Sequence, residues 1–188
     1  IWAQKGMNRL LWAGFWENKM IIKTKKFVLR PYNKGDIDSL IEIMNDKTFS
    51  RFMSTVPYPY KRKDAEDWLR KCANFKTNKI RKCFALEIEG KIVGGISLDA
   101  IDKHKAEIGY SLGKKYWNKG IITEALKLVT DFGFKELKLK RIYAYAFTKN
   151  KASIKVLEKN GYKREGLLRK HYMKNGKLFD AYIYAKIK

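Results

Sequence analysis

The amino-acid sequence predicts an α/β fold with a mixed sheet in one compact unit, and three observations predict it. Alternating apolar and polar segments flank two tight turns, Glu89-Gly90 and Asn175-Gly176, the pattern of antiparallel hairpins. One strand-like segment passes through a short basic loop into a helix-period segment and then a further strand, the pattern of a crossover between strands. No internal repeat and no linker divides the chain. With 188 residues, 45% hydrophobic and 14% aromatic, it is long and apolar enough to bury a core of its own and too apolar to be disordered.

Each element follows from its local pattern. Residues 26–32 set Phe27 and Leu29 against Val28 and Arg30 and stop at Pro31, a first strand. Asp36 is placed to cap a helix whose Ile37, Leu40, Ile41 and Met44 share one face. Beyond a loop holding Pro57 and Pro59, Ala65, Trp68, Leu69 and Cys72 align on a second helix. Residues 83–88 and 92–98 form the hairpin about Glu89-Gly90, and 106–112 is another strand. Ile121, Ile122, Ala125, Val129 and Phe132 mark the helix after the basic loop, and residues 141–148 are an aromatic alternating strand. Asn150 is placed to cap a short helix carrying Ile154, Val156 and Leu157, which stops at Asn160-Gly161. Residues 167–173 and 178–187 close the chain as the second hairpin. The predicted order is β-α-α-β-β-β-α-β-α-β-β.

Composition narrows the function. The formal net charge is +23, from 42 Lys and Arg against 19 Asp and Glu, and the excess is spread through every segment. Dispersed lysine fits an AT-rich coding genome better than a nucleic-acid function, yet such a field favours polyanionic partners: a nucleotide cofactor, an acidic protein or the ribosome. It disfavours polyamine substrates. Cys72 and Cys83 lack metal-ligand spacing and fit a reducing cytosol, so the expected location is cytoplasmic and no metal is expected. No apolar run approaches the ~20 residues of a membrane helix. The first nineteen residues carry three of the five tryptophans (Trp2, Trp12 and Trp16) and read as an appended or upstream-translated extension, with an amphipathic docking segment as the alternative. The domain proper is placed at residues 20–188.

The most informative stretch is IGYSLGKKYWNKGIITEA, residues 108–125. Its strand, basic loop and helix start bring unpaired backbone N–H groups and the positive end of a helix dipole to one place, an anion site. Gly120 lets the backbone approach a phosphate closely, although a plain solvated loop is the commoner meaning of such a segment alone. Two further motifs follow in order, the helix opening Asn150-Lys151-Ala152-Ser153 and the stop Lys159-Asn160-Gly161-Tyr162 with Glu165-Gly166.

Together WNKGIITEAL, NKASIKVLEKNGYKREG and FDAYIYAKI resemble the GNAT superfamily of acetyl-CoA-dependent N-acetyltransferases, and within it the Rim type that acetylates N-terminal amines of bacterial ribosomal proteins. The resemblance spans residues 23–188. It implies a GNAT-like mixed, mostly antiparallel twisted sheet whose two central parallel strands, 106–112 and 141–148, splay apart. It further implies that acetyl-CoA lies in the opening, its pantetheine arm along Tyr110, Ser111 and Leu112 and its pyrophosphate on the loop from Asn118 through Lys119, Gly120, Ile121 and Ile122 to Thr123. Asn150 would contact the pantetheine amides, serve only as the helix cap, or do both. The chain departs from the family loop pattern in having Trp117 at the first position and Ile122 at the last, and Ile122 then has to point into the core. It also has Leu157 where many relatives place a tyrosine acid, which leaves Ser153 or water to protonate the leaving thiolate.

Transfer needs a neutral amine, a donor for the oxyanion and a proton for sulfur. A backbone N–H near Ser111 or Leu112 is the candidate oxyanion donor. Glu107 shares one strand face with Gly109 and Ser111 and is the candidate base; a structural ion pair with one of the lysines is its alternative. An α-amine of pKa ~7.7–8.0 is already roughly 10–30% neutral near pH 7, and a lysine at ~10.4 under ~0.1%. With only His104 and His171 available and no His–carboxylate pair evident, an α-amine acceptor is expected. The acceptor walls are expected at residues 49–61 and 170–177, with His171 either lining the cleft or merely a half-buried strand residue. The expected acceptor is a protein N-terminus or a small amine. A non-catalytic basic ribosome- or RNA-binding module is the competing class, and a monomer and a homodimer fit equally.

Overall fold

The computed structural model describes residues 20–46, 52–53 and 56–188. Its elements are β1 (Ile22–Lys23), β2 (Val28–Arg30), α1 (Ile37–Met44), α2 (Arg62–Cys72), β3 (Lys82–Ile88), β4 (Lys91–Asp102), β5 (Lys105–Leu112), α3 (Ile121–Lys135), β6 (Arg141–Phe147), α4 (Lys151–Lys159), β7 (Lys163–Lys174) and β8 (Lys177–Ile187). The strands form one eight-stranded sheet in the order β1-β2-β3-β4-β5-β6-β8-β7. The predicted extension, residues 1–19, lies outside the described residues.

Both predicted hairpins form. Glu89 and Gly90 have φ of 50° and 76°, and Asn175 and Gly176 have 49° and 71°, the doubly left-handed turn that matches the twist of paired strands. β1 has no counterpart in the predicted order. Its two residues are too short to carry a period and are held by pairing Ile22 with Leu29 and Lys23 with Val28. Asp36 does not cap α1 through its side chain. That carboxylate instead accepts hydrogen bonds from the Arg30 guanidinium at 2.8 and 2.9 Å and from the Asn33 N–H at 2.8 Å. Asn33, which accepts from the Gly35 N–H, opens the preceding turn. The expected cap is lost to Arg30, six residues earlier, and to the capping box of the preceding turn.

The sheet has helices on both faces. Ile96 and Leu98 of β4, Ala106 and Ile108 of β5, and Ile142 and Ala144 of β6 pack with Leu126, Val129 and Phe132 of α3 and Leu157 of α4 in the main core. A glycine sets how closely α3 approaches, because a Cβ on Gly133 would stand 2.7 Å from Ile142 Cδ1 and 3.2 Å from Leu98 Cδ1. On the opposite face Leu40, Met44, Tyr60 and Ala65 form a smaller cluster between α1 and α2, against which Tyr32 and Trp68 pack. None of the described helices is long and apolar enough to cross a membrane.

One feature of the topology positions everything that follows. β5 and β6 are the parallel pair, and their pairing is confined to Lys105 with Arg141, Ala106 with Ile142 and Glu107 with Tyr143. Beyond Glu107, β5 stays with β4 as far as Leu112, whereas β6 stays with β8 as far as Phe147. The two strands therefore diverge and leave a wedge-shaped gap, as the resemblance implied. Gly94 of β4 helps to hold β5 to its far side, since a Cβ there would collide with the Ser111 carbonyl and lie 3.0 Å from Leu112 Cα. Gly94→Ala is expected to lower the unfolding free energy by about 1–3 kcal/mol through this overpacking, read as a lower urea midpoint with an unchanged slope.

Candidate active site

The mouth of the gap is built by the basic loop. The Gly113 N–H donates to the Val93 carbonyl at 2.8 Å, a short turn over Lys114–Tyr116 follows, and the Trp117 indole N–H donates to the Leu112 carbonyl at 2.6 Å. Trp117, the departure at the first loop position, thus ties the loop to the edge of the gap. Asn118 and Gly120 adopt left-handed φ of 60° and 73°, and Gly120 is the N-terminal boundary of α3 with no side-chain cap. Backbone N–H groups from Asn118 through Lys119, Gly120, Ile121 and Ile122 to Thr123 make no hydrogen bond to the described residues; the first taken is that of Glu124, which donates to Gly120 at 3.0 Å. Such a run of free donors at a helix start attracts anions. Lys26 adds positive charge beside it, with its Nζ 3.4 Å from Glu124 Oε2. Ile121 is buried and Ile122 packs against the main core, as required of a bulky residue there.

Strand alternation decides which main-chain groups reach the gap. With Gly113 bonded to Val93, and Ser111 and Gly109 opposite Gly95 and Ser97, the odd-numbered residues turn their peptide groups to β4. The even-numbered residues then face β6, and past the last pair the open edge carries the Ile108 carbonyl, the Tyr110 N–H and carbonyl, and the Leu112 N–H. Of the three residues expected to line the pantetheine arm, Tyr110 and Leu112 therefore present main chain to the gap and Ser111 does not. Its N–H is also removed from the pair considered as oxyanion donors, leaving Leu112.

The two faces of β5 differ in chemistry. Glu107 lies on the α1–α2 face at the apex of the wedge, opposite Asp99 on β4 and Tyr143 on β6. Among the described residues it makes neither an ion pair nor a hydrogen bond, so none of the described lysines is the partner considered as its structural alternative. Partial burial first, then the negative charge of Asp99, push its carboxyl above the usual range. Asp99 itself is paired with Arg81 and accepts from Ser97 Oγ at 2.5 Å. Asp99 escaped the sequence pattern because β4 runs on to Asp102, past the predicted end at Leu98. Along β6 the same face carries aromatic rings. Tyr143 and Tyr145 lie 5.7 Å apart between centroids, and His171 lies 5.0 Å from Tyr145 and 4.6 Å from Tyr172. His171 is exposed on this surface rather than half-buried. The two expected acceptor walls touch where the Lys174 ammonium donates to the Met53 carbonyl at 2.7 Å. Residues 49–51 and 54–55 of the first wall lie outside the described residues.

On the other face Asn150 and Ser153 open α4. The Asn150 side chain accepts from the Ser153 N–H at 3.1 Å, so its cap role is real. Ser153 Oγ lies 2.8 Å from the Tyr110 hydroxyl. Leu157, in the position of the family tyrosine, is fully buried in the core. The described residues contain no cluster of His, Cys, Asp and Glu able to hold a metal.

This geometry matches known proteins. The model of the acetyltransferase (GNAT) domain family matches residues 26–163. The chain belongs to the GNAT family. It is 30% identical over 169 residues to the uncharacterized N-acetyltransferase p20 of Bacillus licheniformis, covering 88% of this chain and 94% of p20. It is 32% identical over 168 residues to YdaF of Bacillus subtilis, named as a candidate ribosomal N-acetyltransferase, covering 86% and 89% of the two chains. The crystal structure of the microcin C7 self-immunity acetyltransferase MccE with acetyl-CoA and AMP superposes with a TM-score of 0.79 at 25% identity, covering 88% and 94%. The chain is thus a GNAT acetyltransferase, and the non-catalytic module is set aside.

A raised carboxyl has a consequence for stability independent of turnover. Its folded-state pKa exceeds the unfolded value, so folding holds the proton more tightly and ionisation of Glu107 opposes the fold as pH rises through the folded value. Glu107→Gln should raise the thermal midpoint at neutral pH and leave it nearly unchanged below the ordinary glutamate range, as read by calorimetry across pH.

Proposed function

We propose that this GNAT acetyltransferase moves the acetyl group of acetyl-CoA directly to a primary amine, and that the acceptor is the α-amine of a protein N-terminus, with a ribosomal protein as the expected source. The observation that carries this reading is Glu107, a carboxylate at the apex of the gap that has no hydrogen bond or ion pair among the described residues and has a raised proton affinity. A carboxylate tuned upward is a better base at working pH and suits an amine that is already partly neutral. In this reading the free N–H groups from Asn118 to Thr123 hold the pyrophosphate, while the edge at Tyr110 and Leu112 pairs with the pantetheine amides as an added strand would. The NH2 of Asn150, not used in its cap, adds a donor to that arm. The amine attacks the thioester carbonyl from the Glu107 face, its proton passes to Glu107 directly or through water, and the Leu112 N–H meets the oxyanion. Ser153, at the start of α4, gives the leaving sulfur its proton.

The aromatic surface of Tyr143, Tyr145 and Tyr172 suits the side chains and peptide planes of an extended N-terminus entering beneath the Lys174–Met53 contact. YdaF supports a ribosomal acceptor by its name. MccE supports a small-molecule acceptor instead, so the deciding experiment offers both. Purified protein is incubated with labelled acetyl-CoA and peptides of free or blocked α-amine, alongside amino acids and aminoacyl nucleotides. Label on free-α-amine peptides alone fits the proposal; label on small amines alone overturns the acceptor assignment.

The site assignments are tested separately. Gly120→Glu places a negative charge at the phosphates and should weaken acetyl-CoA binding about 100-fold or more by calorimetry; unchanged affinity removes the loop from the site. Glu107→Gln should lower kcat about 100-fold with the KM for acetyl-CoA little altered. In the unmodified protein kcat/KM should rise with pH as Glu107 ionises, and that acid limb should vanish in the variant. A retained limb would assign the base to another group.

A further inference from the structure

The hydroxyl of Tyr110 is not needed by anything described so far, yet it spans the gap. Tyr110 belongs to β5 beyond Glu107, where pairing with β6 ends, and Ser153 belongs to the first turn of α4, the helix that follows β6. The phenol oxygen lies 2.8 Å from Ser153 Oγ and 3.2 Å from the Ser153 carbonyl. It is therefore a side-chain bridge between the diverging halves of the sheet, on the α3–α4 face. The seryl N–H is occupied by Asn150, whereas Oγ has no partner other than the phenol among the described residues. When the phenol donates to Oγ, the seryl hydrogen remains to be given into the gap.

We propose that Tyr110 and Ser153 form a two-hydroxyl relay that protonates the departing sulfur, with Ser153 as the donor and Tyr110 as the positioning residue that orients and reloads it. The inference rests on the acetyl-CoA reading above and assigns the proton that the family tyrosine, replaced here by buried Leu157, does not supply. Strand geometry supports it. Glu107 and Tyr110 project from opposite faces of β5, so the amine enters on one side of a thioester lying in the gap and sulfur leaves on the other. Amine nitrogen bonds the acyl carbon and yields its proton to Glu107; the C–S bond breaks with its electron pair on sulfur. Sulfur takes the Ser153 Oγ proton, Oγ takes the phenol proton, and the phenol recovers one from Glu107 through water. Net, one amine hydrogen becomes the thiol hydrogen. Burial pushes the Tyr110 phenol well above its ordinary value, with Ser153 opposing, so the relay stays protonated across working pH. Coupled hydroxyls also polarise one another, which makes Oγ a better donor than an isolated serine.

The test needs no acceptor. CoA is bound to the protein and its thiol is titrated by the ultraviolet absorbance of the thiolate, in the unmodified chain and in Tyr110→Phe, Ser153→Ala, Ser153→Thr and the double variant Tyr110→Phe/Ser153→Ala. A seryl donor aimed at sulfur and strengthened by the phenol behind it favours the thiolate, so the bound thiol should titrate lowest in the unmodified chain and about one unit higher in Tyr110→Phe and in Ser153→Ala. The double variant should add nothing to Ser153→Ala, because the phenol acts through the serine. Ser153→Thr, which keeps a hydroxyl, should restore the low value, and it decides the matter with Ser153→Ala if loss of the phenol unfolds the chain. With an accepted amine, Tyr110→Phe should lower kcat about 10-fold or more while KM for acetyl-CoA moves less than about twofold. CoA binding with a thiol pKa unmoved by either single variant overturns the relay alone. Failure of the unmodified chain to bind CoA overturns the acetyl-CoA reading beneath it, and the relay with it.

Discussion

The structure depends on a strand edge left without a partner. Peptide groups removed from water cost about 1–3 kcal/mol each when no hydrogen bond replaces the solvent, so sheets normally close such edges. Here β5 and β6 pair over three positions and then part, and the open edge persists because each strand is held elsewhere. Gly94 lets β5 lean into β4, β6 is zipped to β8 as far as Phe147, and the Trp117 indole occupies the Leu112 carbonyl. The remaining donors and acceptors of Tyr110 and Leu112 form a ready template for an extended ligand with amides of its own. The cost of the open edge is offset by the core beneath it, where α3 packs tightly against β4 and β6 at Gly133.

The alternation of a strand then separates the chemistry. Odd positions on β5 look toward α1 and α2, where Glu107 lies beside Asp99 and Tyr143. Even positions look toward α3 and α4, where Tyr110 meets Ser153. Under the proposed function, a thioester in the wedge would have a carboxylate on one side and hydroxyls on the other. The loop before α3 closes the design at a third point by presenting free N–H groups where a phosphate would sit. The dispersed charge of +23 surrounds this with a field favourable to a polyanionic nucleotide.

The departures from the family pattern acquire physical meaning in this frame. Trp117 replaces a polar loop residue and does a structural job, anchoring the loop to the gap edge. Ile122 is accommodated because its side chain packs on the main core while its N–H stays free. Leu157 is buried in the core and has no proton to donate, and the hydroxyls at the gap come instead from Tyr110 of β5 and Ser153 in the first turn of α4.

The amino-acid sequence by itself determined the local elements and the order of the motifs: hairpin turns whose glycines and asparagine accept positive φ, the Asn150 cap, the basic loop that opens α3, and Glu107 on a face shared with Gly109 and Ser111. Those properties are set within a few residues, by periodicity and backbone sterics, and so are legible in the chain. Tertiary structure alone decided what lies across from what. Arg30 took Asp36 from its expected cap; Asp99 came to stand beside Glu107 through hairpin register; Ser111 was turned toward β4 by the alternation that Gly113 starts. Tyr110 reached Ser153 because two strands diverge and a helix fills the space below. Tyr110 and Ser153 are 43 residues apart, and even the closer pairings depend on strand register and twist, which no local pattern encodes.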